Sequence, residues 1–308
     1  MSQSSLIVLN LILAMMMFGI ALNLKLADFK QVVKQPKGPV TGLLAQFLVL
    51  PLLTWLVTLT VPMPAEVALG LILVSSCPGG SFSNIVTYLA NGNTAMSVSM
   101  TGVASLLATL MTPFNFMLYS SLNPNTAALL TQINVPASQI FMIVGLVLAL
   151  PLGLGLISAR LWPNLAQKCD GLFRLVSLVT LFLFVLIALA SNWTAFVAGA
   201  SIFLLAVVVH NAMALGVGFA SSKLMQLNEQ DARAITLEVG LQNSGLGLGI
   251  IFTFFDSLTG MAIIAAAWGC WHLVSGMLLC FYWQRKDRQS ERKKQLVNNN
   301  NKEVRCGS

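Results

Sequence analysis

Charged residues are scarce in this chain of 308 residues. Lys, Arg, Asp and Glu together make up 9% of it, whereas 56% of the residues are hydrophobic. A soluble domain carries about 25% charged residues, and the mean hydropathy here is +0.81. The composition therefore excludes a soluble globular protein. Apolar runs long enough to span a bilayer, about 20 residues each, recur along the chain, which predicts an all-α polytopic membrane protein.

Patterns typical of disulfide frameworks and zinc sites are also lacking. The five cysteines show no paired spacing and no CxxC motif, so neither kind of site is indicated. The two histidines, His210 and His272, each lie in an apolar run with no carboxylate nearby in sequence. We interpret them as packing or hydrogen-bonding residues rather than as a proton relay.

The apolar runs predict nine transmembrane helices joined by short connections. The predicted segments are 6–24, 39–60, 65–91, 94–121, 136–160, 171–191, 194–221, 231–256 and 259–283. The first run has no basic n-region and no convincing cleavage site, so we do not interpret it as a cleavable signal. The tail that begins at Arg285 is basic and then rich in Asn, and composition predicts disorder beyond Gln295.

No Lys or Arg falls on one of the two predicted sides of the membrane. All seventeen follow an odd-numbered segment. Because Lys and Arg mark the cytoplasmic side, the N-terminus is predicted outside and the C-terminus in the cytoplasm. The net charge of +7 is explained by this topology, and no nucleic-acid partner is expected.

Two of the nine segments are interrupted at related positions. The third contains Pro78, Gly79 and Gly80, and the eighth contains a polar stretch from Gly240 to Gly245. Proline removes a backbone donor and glycine permits non-helical angles, so each segment is predicted to form two half-helices. Five segments separate the breaks, and an odd-membered repeat reverses its direction in the membrane. This favours an inverted-repeat transporter in which the first helix of one copy is missing.

Glu238 is the carboxylate that lies in the middle of an apolar run. A charge at this depth costs about 3 kcal/mol or more, so it is rarely left without a partner. Several amide and hydroxyl side chains lie in or beside this and other apolar segments. They are Gln46, Ser83, Asn84, Ser97, Thr101 and Gln242. Such oxygens suit a hard cation such as sodium better than zinc or copper. On a continuing helix, Gln242 would share a face with Glu238.

Six short motifs between Phe18 and Tyr282 carry a family resemblance. They are Phe18-Gly19 with Asp28-Phe29, Ala45-Gln46-Phe47, Cys77-Pro78-Gly79-Gly80 with Ser83-Asn84, Gly92-Asn93, Glu238-Val239-Gly240 with Gln242-Asn243-Ser244-Gly245, and Trp271-His272. With these motifs the chain resembles the bile acid:sodium symporter family, and within it the bacterial homologues of the apical sodium-dependent bile acid transporter. Bacterial relatives can have ten spans, and the resemblance implies that the nine predicted here correspond to all but the first of these.

The resemblance implies two discontinuous crossing helices in a core domain, which faces a smaller panel domain across a substrate cavity. By this matching the panel is formed by segments one, five and six. The implied parts are the first panel helix and loop (1–37), the first core half with a break near 78–82 (38–121), the panel helices (122–192), the second core half with a break near 240–245 (193–284) and the cytoplasmic tail (285–308).

The resemblance also implies two sodium sites and a substrate site. The first sodium site would comprise Ser83, Asn84, Ser97, Thr101 and Glu238. The second would comprise Gln46, Gln242, Glu238 and the carbonyl groups of Val239 and Leu241. Asn243, Ser81 and Phe82 would face the substrate. Where a relative has Asn after the Trp-His pair, this chain has Leu273, so a substrate contact from the ninth segment is in doubt.

Together these observations predict a symporter that imports an organic anion, such as a bile acid, with sodium by alternating access. It would reside in a bacterial inner membrane and perform no covalent chemistry, so no enzyme activity, catalytic residue or cofactor is expected. Its partners would be sodium, the anion and the lipid bilayer, with no obligate protein partner. Two alternatives stay open from the residues: a proton-coupled antiporter that uses Glu238, and a membrane receptor or scaffold in which Glu238 is structural.

Overall fold

Helices make up the regular structure of the chain. The computed structural model describes residues 32–132, 137–166, 193–255 and 258–306, with short stretches and single positions within 11–22 and 168–190. We number the helices α1 (Lys37–Leu44), α2 (Leu50–Thr60), α3 (Ala65–Ser76), α4 (Ser81–Leu89), α5 (Thr94–Leu122), α6 (Pro124–Gln132), α7 (Ala137–Leu161), α8 (Trp193–Leu224), α9 (Glu229–Gly240), α10 (Ser244–Phe254) and α11 (Thr259–Cys306). A π-helical turn, Ala45–Val49, joins α1 to α2. The all-helical prediction is confirmed for these residues.

Among the residues that the structure describes, four helical stretches are long and apolar enough to cross a membrane. They are Lys37–Thr60, Thr94–Leu122, Val197–Leu224 and Thr259–Lys293. Shorter apolar helices occupy Ala65–Ser76, Leu148–Leu161 and Ser244–Phe254. The chain is thus a multi-pass membrane protein. The predicted segments 6–24 and 171–191 lie mostly outside the described residues, so the number of nine stays a prediction.

Both predicted breaks are present, and each is short. In the first, α3 ends at Ser76 and α4 begins at Ser81, because Pro78 offers no N–H and favours extended backbone at the preceding Cys77, whose ψ is 156°. In the second, α9 ends at Gly240 and α10 begins at Ser244. This break is shorter than the predicted stretch to Gly245.

Asn243 explains why α10 begins early. Its side-chain oxygen accepts a hydrogen bond from the backbone N–H of Leu246 at 3.1 Å, which is the usual action of an N-cap residue. Gly245 therefore lies inside the first turn of α10. The unwound segment contains only residues 241–243.

The last helix differs from the composition-based prediction. It continues without interruption from Thr259 to Cys306, although disorder was predicted beyond Gln295. Extending an existing helix requires no new nucleation, so a polar sequence can continue a helix that is already formed by the apolar segment before it.

A buried arginine ties the first turns of α9 to the rest of the bundle. Arg233 donates to the carbonyl oxygen of Ala90 at 2.7 Å and to the two carboxylate oxygens of Asp287 at 2.6 and 2.7 Å. It also pairs with Glu229 at 3.1 Å. Hydrogen bonds from Lys286 and from Arg233 lower the pKa of Glu229. These contacts fix the N-terminal end of α9, whereas Glu238 lies near its C-terminal end.

Candidate functional site

The two helix breaks meet each other in the middle of the molecule. Gly79 and Gln242 form an antiparallel bridge. The N–H of Gly80 donates to the carbonyl of Leu241 at 2.9 Å, and the N–H of Asn243 donates to the carbonyl of Pro78 at 2.8 Å. Unwound backbone at membrane depth is tolerated only where it is buried or lines a cavity. Here backbone N–H and carbonyl groups of the two unwound segments hydrogen-bond to each other.

Glu238 lies beside this crossing and is buried, with 2% of its surface exposed. The hydroxyl of Ser83 donates to Oε2 at 2.6 Å, and the hydroxyl of Thr101 lies 2.8 Å from both carboxylate oxygens. Within the described part of the chain, no Lys or Arg pairs with this carboxylate. A buried charge normally requires a paired cation or a proton, so the surroundings of Glu238 suit a cation from outside the protein.

The structure brings the five predicted residues of the first sodium site into one hydrogen-bonded group. Besides the contacts of Glu238, Ser97 donates to the side-chain oxygen of Asn84 at 2.7 Å, and the Thr101 hydroxyl lies 3.2 Å from the same oxygen. Their assignment as sodium ligands stays a prediction.

Thr87 belongs to the same group but was not predicted. The Ser97 hydroxyl lies 3.3 Å from the hydroxyl of Thr87, and Thr87 is fully buried. Since Thr87 is four residues after Ser83 on α4, both side chains lie on one helix face. That spacing is a sequence signal that could have identified Thr87.

The predicted second sodium site is brought together in part. The Gln46 side-chain nitrogen donates to the Gln242 side-chain oxygen at 2.8 Å and to the Cys77 carbonyl at 2.7 Å. Gln242 in turn donates to the carbonyl of Val239 at 2.9 Å. The described hydrogen bonds of Glu238 go to the first group and not to Gln46 or Gln242.

Gln242 does not share a helix face with Glu238 as predicted. The helix ends at Gly240, so Gln242 lies in the unwound segment and its side chain folds back onto the last turn of α9. Leu241 directs its carbonyl toward the N–H of Gly80. The expected shared face applied only to a helix that continues through the break, and the helix does not continue.

Gln46 lies in the π-helical turn, which sequence reasoning did not predict. A π-helical turn leaves backbone groups without their usual partners and is frequent at functional sites. Asn115 of α5 donates to the carbonyl of Phe47 in this turn at 2.7 Å. The side-chain oxygen of Gln46 has no hydrogen-bond partner among the described residues, although the residue is 1% exposed. Within the described part of the chain, this oxygen is therefore an acceptor that no donor uses.

The three predicted substrate residues lie where the half-helices begin at the crossing. Ser81 and Phe82 open α4, and Asn243 immediately precedes α10. All three are half-buried, in contrast to the fully buried Ser83. The Phe82 ring meets the His272 ring edge-on, with centroids 6.4 Å apart. Helix N-termini carry partial positive charge and favour anions.

His210 has the hydrogen bonds of a structural residue. The indole N–H of Trp268 donates to its Nδ1 at 2.9 Å, so the ring proton is on Nε2, which lies 2.9 Å from the hydroxyl of Thr54. The Thr54 hydroxyl donates to the carbonyl of Leu50 at 2.8 Å. Both ring nitrogens of His210 thus take part in hydrogen bonds, which agrees with the interpretation as a hydrogen-bonding residue.

Comparison with known proteins identifies the family. The profile of the Sodium Bile acid symporter family matches residues 10–199. The chain belongs to this family. The family match covers the site residues from Gln46 to Thr101, and the alignments with the first two relatives below are long enough to include α9 and α10.

Three relatives illustrate the range of the family. An "Uncharacterized sodium-dependent transporter YocS" of Bacillus subtilis is 31% identical, over 92% of this chain and 85% of its own length. A "Probable sodium/metabolite cotransporter BASS1, chloroplastic" of rice is 34% identical, over 87% of this chain and 64% of its own length. The human "Ileal sodium/bile acid cotransporter" is 26% identical, over 80% of this chain and 73% of its own length. Family and relatives indicate a sodium-dependent transporter of the bile acid or metabolite type.

Proposed function

We propose that this protein is a symporter that imports an organic anion together with sodium by alternating access. The observation that carries the proposal is the buried Glu238 carboxylate, whose partners among the described residues are hydroxyl groups and not a cation. A receptor or scaffold with a structural Glu238 would gain nothing from a buried charge that lacks a counter-ion.

The first sodium site would use the group around Glu238. The hydroxyl oxygens of Ser83 and Thr101 lie 2.6 and 2.8 Å from the carboxylate oxygens. Rotation of a hydroxyl turns its lone pairs toward a cation without moving the backbone. The oxygens of Ser83, Asn84, Ser97, Thr101 and Glu238 can then replace the water around sodium.

The second sodium site would lie at the second break. The side-chain oxygen of Gln46 is unpaired among the described residues. The hydrogen bond from the Gln46 side-chain nitrogen to Gln242 already holds this side chain at the second break. Carbonyl groups of Val239 and Leu241 lie in and after the last turn of α9, where helical partners are missing. Glu238 would complete the site by a shift of its side chain, so that one carboxylate serves both ions.

The substrate would be an organic anion that binds at the half-helix N-termini. Ser81, Phe82 and Asn243 lie there and are half-buried, and backbone N–H groups at helix N-termini bind carboxylate or sulfonate oxygens. The names of the relatives include bile acids and metabolites. We therefore propose an amphipathic carboxylate or sulfonate of bile-acid-like character as the substrate class.

Movement of a panel against a core would alternate the access to this site. We propose nine transmembrane helices in two inverted repeats, with segments one, five and six as the panel. The paired breaks support this arrangement, because broken helices at matching positions of two repeats are characteristic of such carriers.

Uptake into proteoliposomes tests the proposed function. A tenfold inward sodium gradient supplies about 1.4 kcal/mol per ion, so accumulation of a radiolabelled bile acid such as taurocholate should exceed that in choline by about tenfold or more. A proton gradient without sodium should give only the choline level. Uptake driven by the proton gradient alone would favour the antiporter, and no gradient-driven uptake across bile acids and smaller carboxylates would contradict transport of this class.

Topology gives an independent prediction. Single cysteines at Lys34 and at Pro124 should react with a membrane-impermeant maleimide from opposite sides, Lys34 from the cytoplasm and Pro124 from outside, because Lys and Arg lie only on the cytoplasmic side. The native cysteines are replaced by serine in the background chain. Labelling of both positions from one side would contradict the proposed number of spans, and exchange of the two sides would reverse the orientation.

A further inference from the structure

Asn211 holds the second break in the same way that Gln46 holds the first. The Gln46 side-chain nitrogen donates to the carbonyl of Cys77 at 2.7 Å. The Asn211 side-chain nitrogen, on α8, donates to the carbonyl of Gly240 at 2.8 Å. Both amides are buried, at 1% and 0% exposure. Each half-helix that precedes a break is thus fixed at its end by a primary amide from another helix.

The hydrogen bonds at the crossing match the residues of the first break with those of the second. The hydrogen bonds between the breaks match Pro78 with Leu241 and Gly80 with Asn243. Cys77 precedes Pro78 as Gly240 precedes Leu241, and α4 and α10 begin one residue after the second matched pair. The two carbonyls that accept the amide bonds therefore correspond, and so do their donors.

The oxygens of the two amides are alike as well. Neither the side-chain oxygen of Gln46 nor that of Asn211 has a hydrogen-bond partner among the described residues. The Asn211 amide satisfies one buried carbonyl and leaves one buried oxygen unpaired, so it brings no net gain of paired groups. An unpaired buried acceptor destabilises folding. Positioning of the carbonyl accounts for this asparagine better than stability does.

The carbonyl that Asn211 holds is next to proposed sodium ligands. Gly240 lies between Val239 and Leu241, and its Cα faces α8 so closely that an added Cβ would overlap the side chain of Leu215. Because adjacent peptide planes share a Cα, fixing the Gly240 carbonyl restricts the directions of the carbonyls on either side. Asn211 thus acts on the second site through the backbone and not by contact with the ion.

We propose that Asn211 is a positioning residue for the second sodium site, and that it sets the carbonyls of Val239 and Leu241. This inference rests on the proposed function. Residues that orient metal ligands typically change metal affinity by about 10–100-fold when they are replaced. Asn211→Leu should therefore raise the sodium concentration for half-maximal thermal stabilisation of the purified protein by about tenfold.

Controls separate positioning from stability. Thr236→Val, on α9, removes a buried hydroxyl that bonds only within its own helix among the described contacts, and it should leave the sodium titration unchanged. Asn211→Ala removes the same amide without adding bulk, so it gives the same test if the leucine variant does not fold. In choline, melting temperatures of the Asn211 variants should match that of Thr236→Val.

A Gln46→Ala background supplies the decisive comparison. With the second site removed, the sodium titration reports the first site alone. In this background, Asn211→Leu should change the sodium concentration for half-maximal stabilisation by less than about twofold. The effects of residues that act through one site are not additive. An equal shift in both backgrounds, no shift in either, or loss of folding of both variants in choline would overturn the proposal. Wild-type protein that shows no stabilisation by sodium would instead contradict the proposed function.

Discussion

Glu238→Gln is expected to abolish sodium-driven uptake while leaving the protein folded. Glutamine keeps the shape of the side chain and can still accept hydrogen bonds from Ser83 and Thr101, but it removes the buried negative charge. Interactions with a charged partner are worth about 1.5–3 kcal/mol each. If Glu238 serves two ions, the loss is about 3 kcal/mol or more, or about 100-fold in apparent sodium affinity.

Two comparisons sharpen this experiment. Glu229→Gln replaces a carboxylate on the same helix that is exposed and bonds to Lys286 and Arg233, and it should transport normally. Thr101→Val should be milder than Glu238→Gln, because Thr101 contributes only to the first site. Wild-type sodium dependence in Glu238→Gln would remove this residue from both sites, and an equal loss in Thr101→Val would refute the sharing of one carboxylate.

The helix breaks could be predicted from sequence because proline and glycine act locally. Pro78 interrupts α3–α4 by its own chemistry, wherever the rest of the chain lies. The end of the second break could not be predicted in this way. It depends on the side chain of Asn243, which caps α10 and brings Gly245 into the helix, and the neighbouring Ser244 is also a residue type that caps helices, so the sequence does not decide where α10 begins.

The contacts of the site could be predicted only through the family resemblance. Ser83 and Glu238 are 155 residues apart in sequence, and no spacing rule joins them. Asn211 and Asn115 were missed for a related reason. Each bonds to a backbone carbonyl of another helix, and a carbonyl has no residue type by which a sequence pattern could reveal it. The π-helical turn at Gln46 has a local contribution, since Pro51 has no N–H to donate to the carbonyl of Phe47, and the distant Asn115 bonds to that carbonyl instead.

Gly79→Ala is expected to eliminate sodium-dependent uptake as well, although it removes no ligand. A Cβ added at Gly79 would overlap the carboxylate of Glu238 and would lie 3.0 Å from its backbone carbonyl oxygen. The side chain could rotate away, but the carbonyl is part of α9 and cannot. Overpacking typically costs about 1–3 kcal/mol, and here the upper end applies. If sodium binding requires the carboxylate in its present position, the sodium-bound state bears this cost, and about 3 kcal/mol corresponds to about a 100-fold loss of apparent sodium affinity.

Gly80→Ala is the matched control, one residue along the chain. A Cβ at Gly80 would meet its nearest neighbours, on Leu241, Gln242 and Asn243, at 3.6–3.7 Å, which is ordinary van der Waals contact. No described glycine has a positive φ, so space and not backbone angle separates the two positions. Sodium titrations of thermal stability should therefore differ between neighbouring alanines, with Gly80→Ala close to wild type. Equal behaviour of the two variants would show that the carboxylate of Glu238 does not have to lie against Gly79 for sodium to bind.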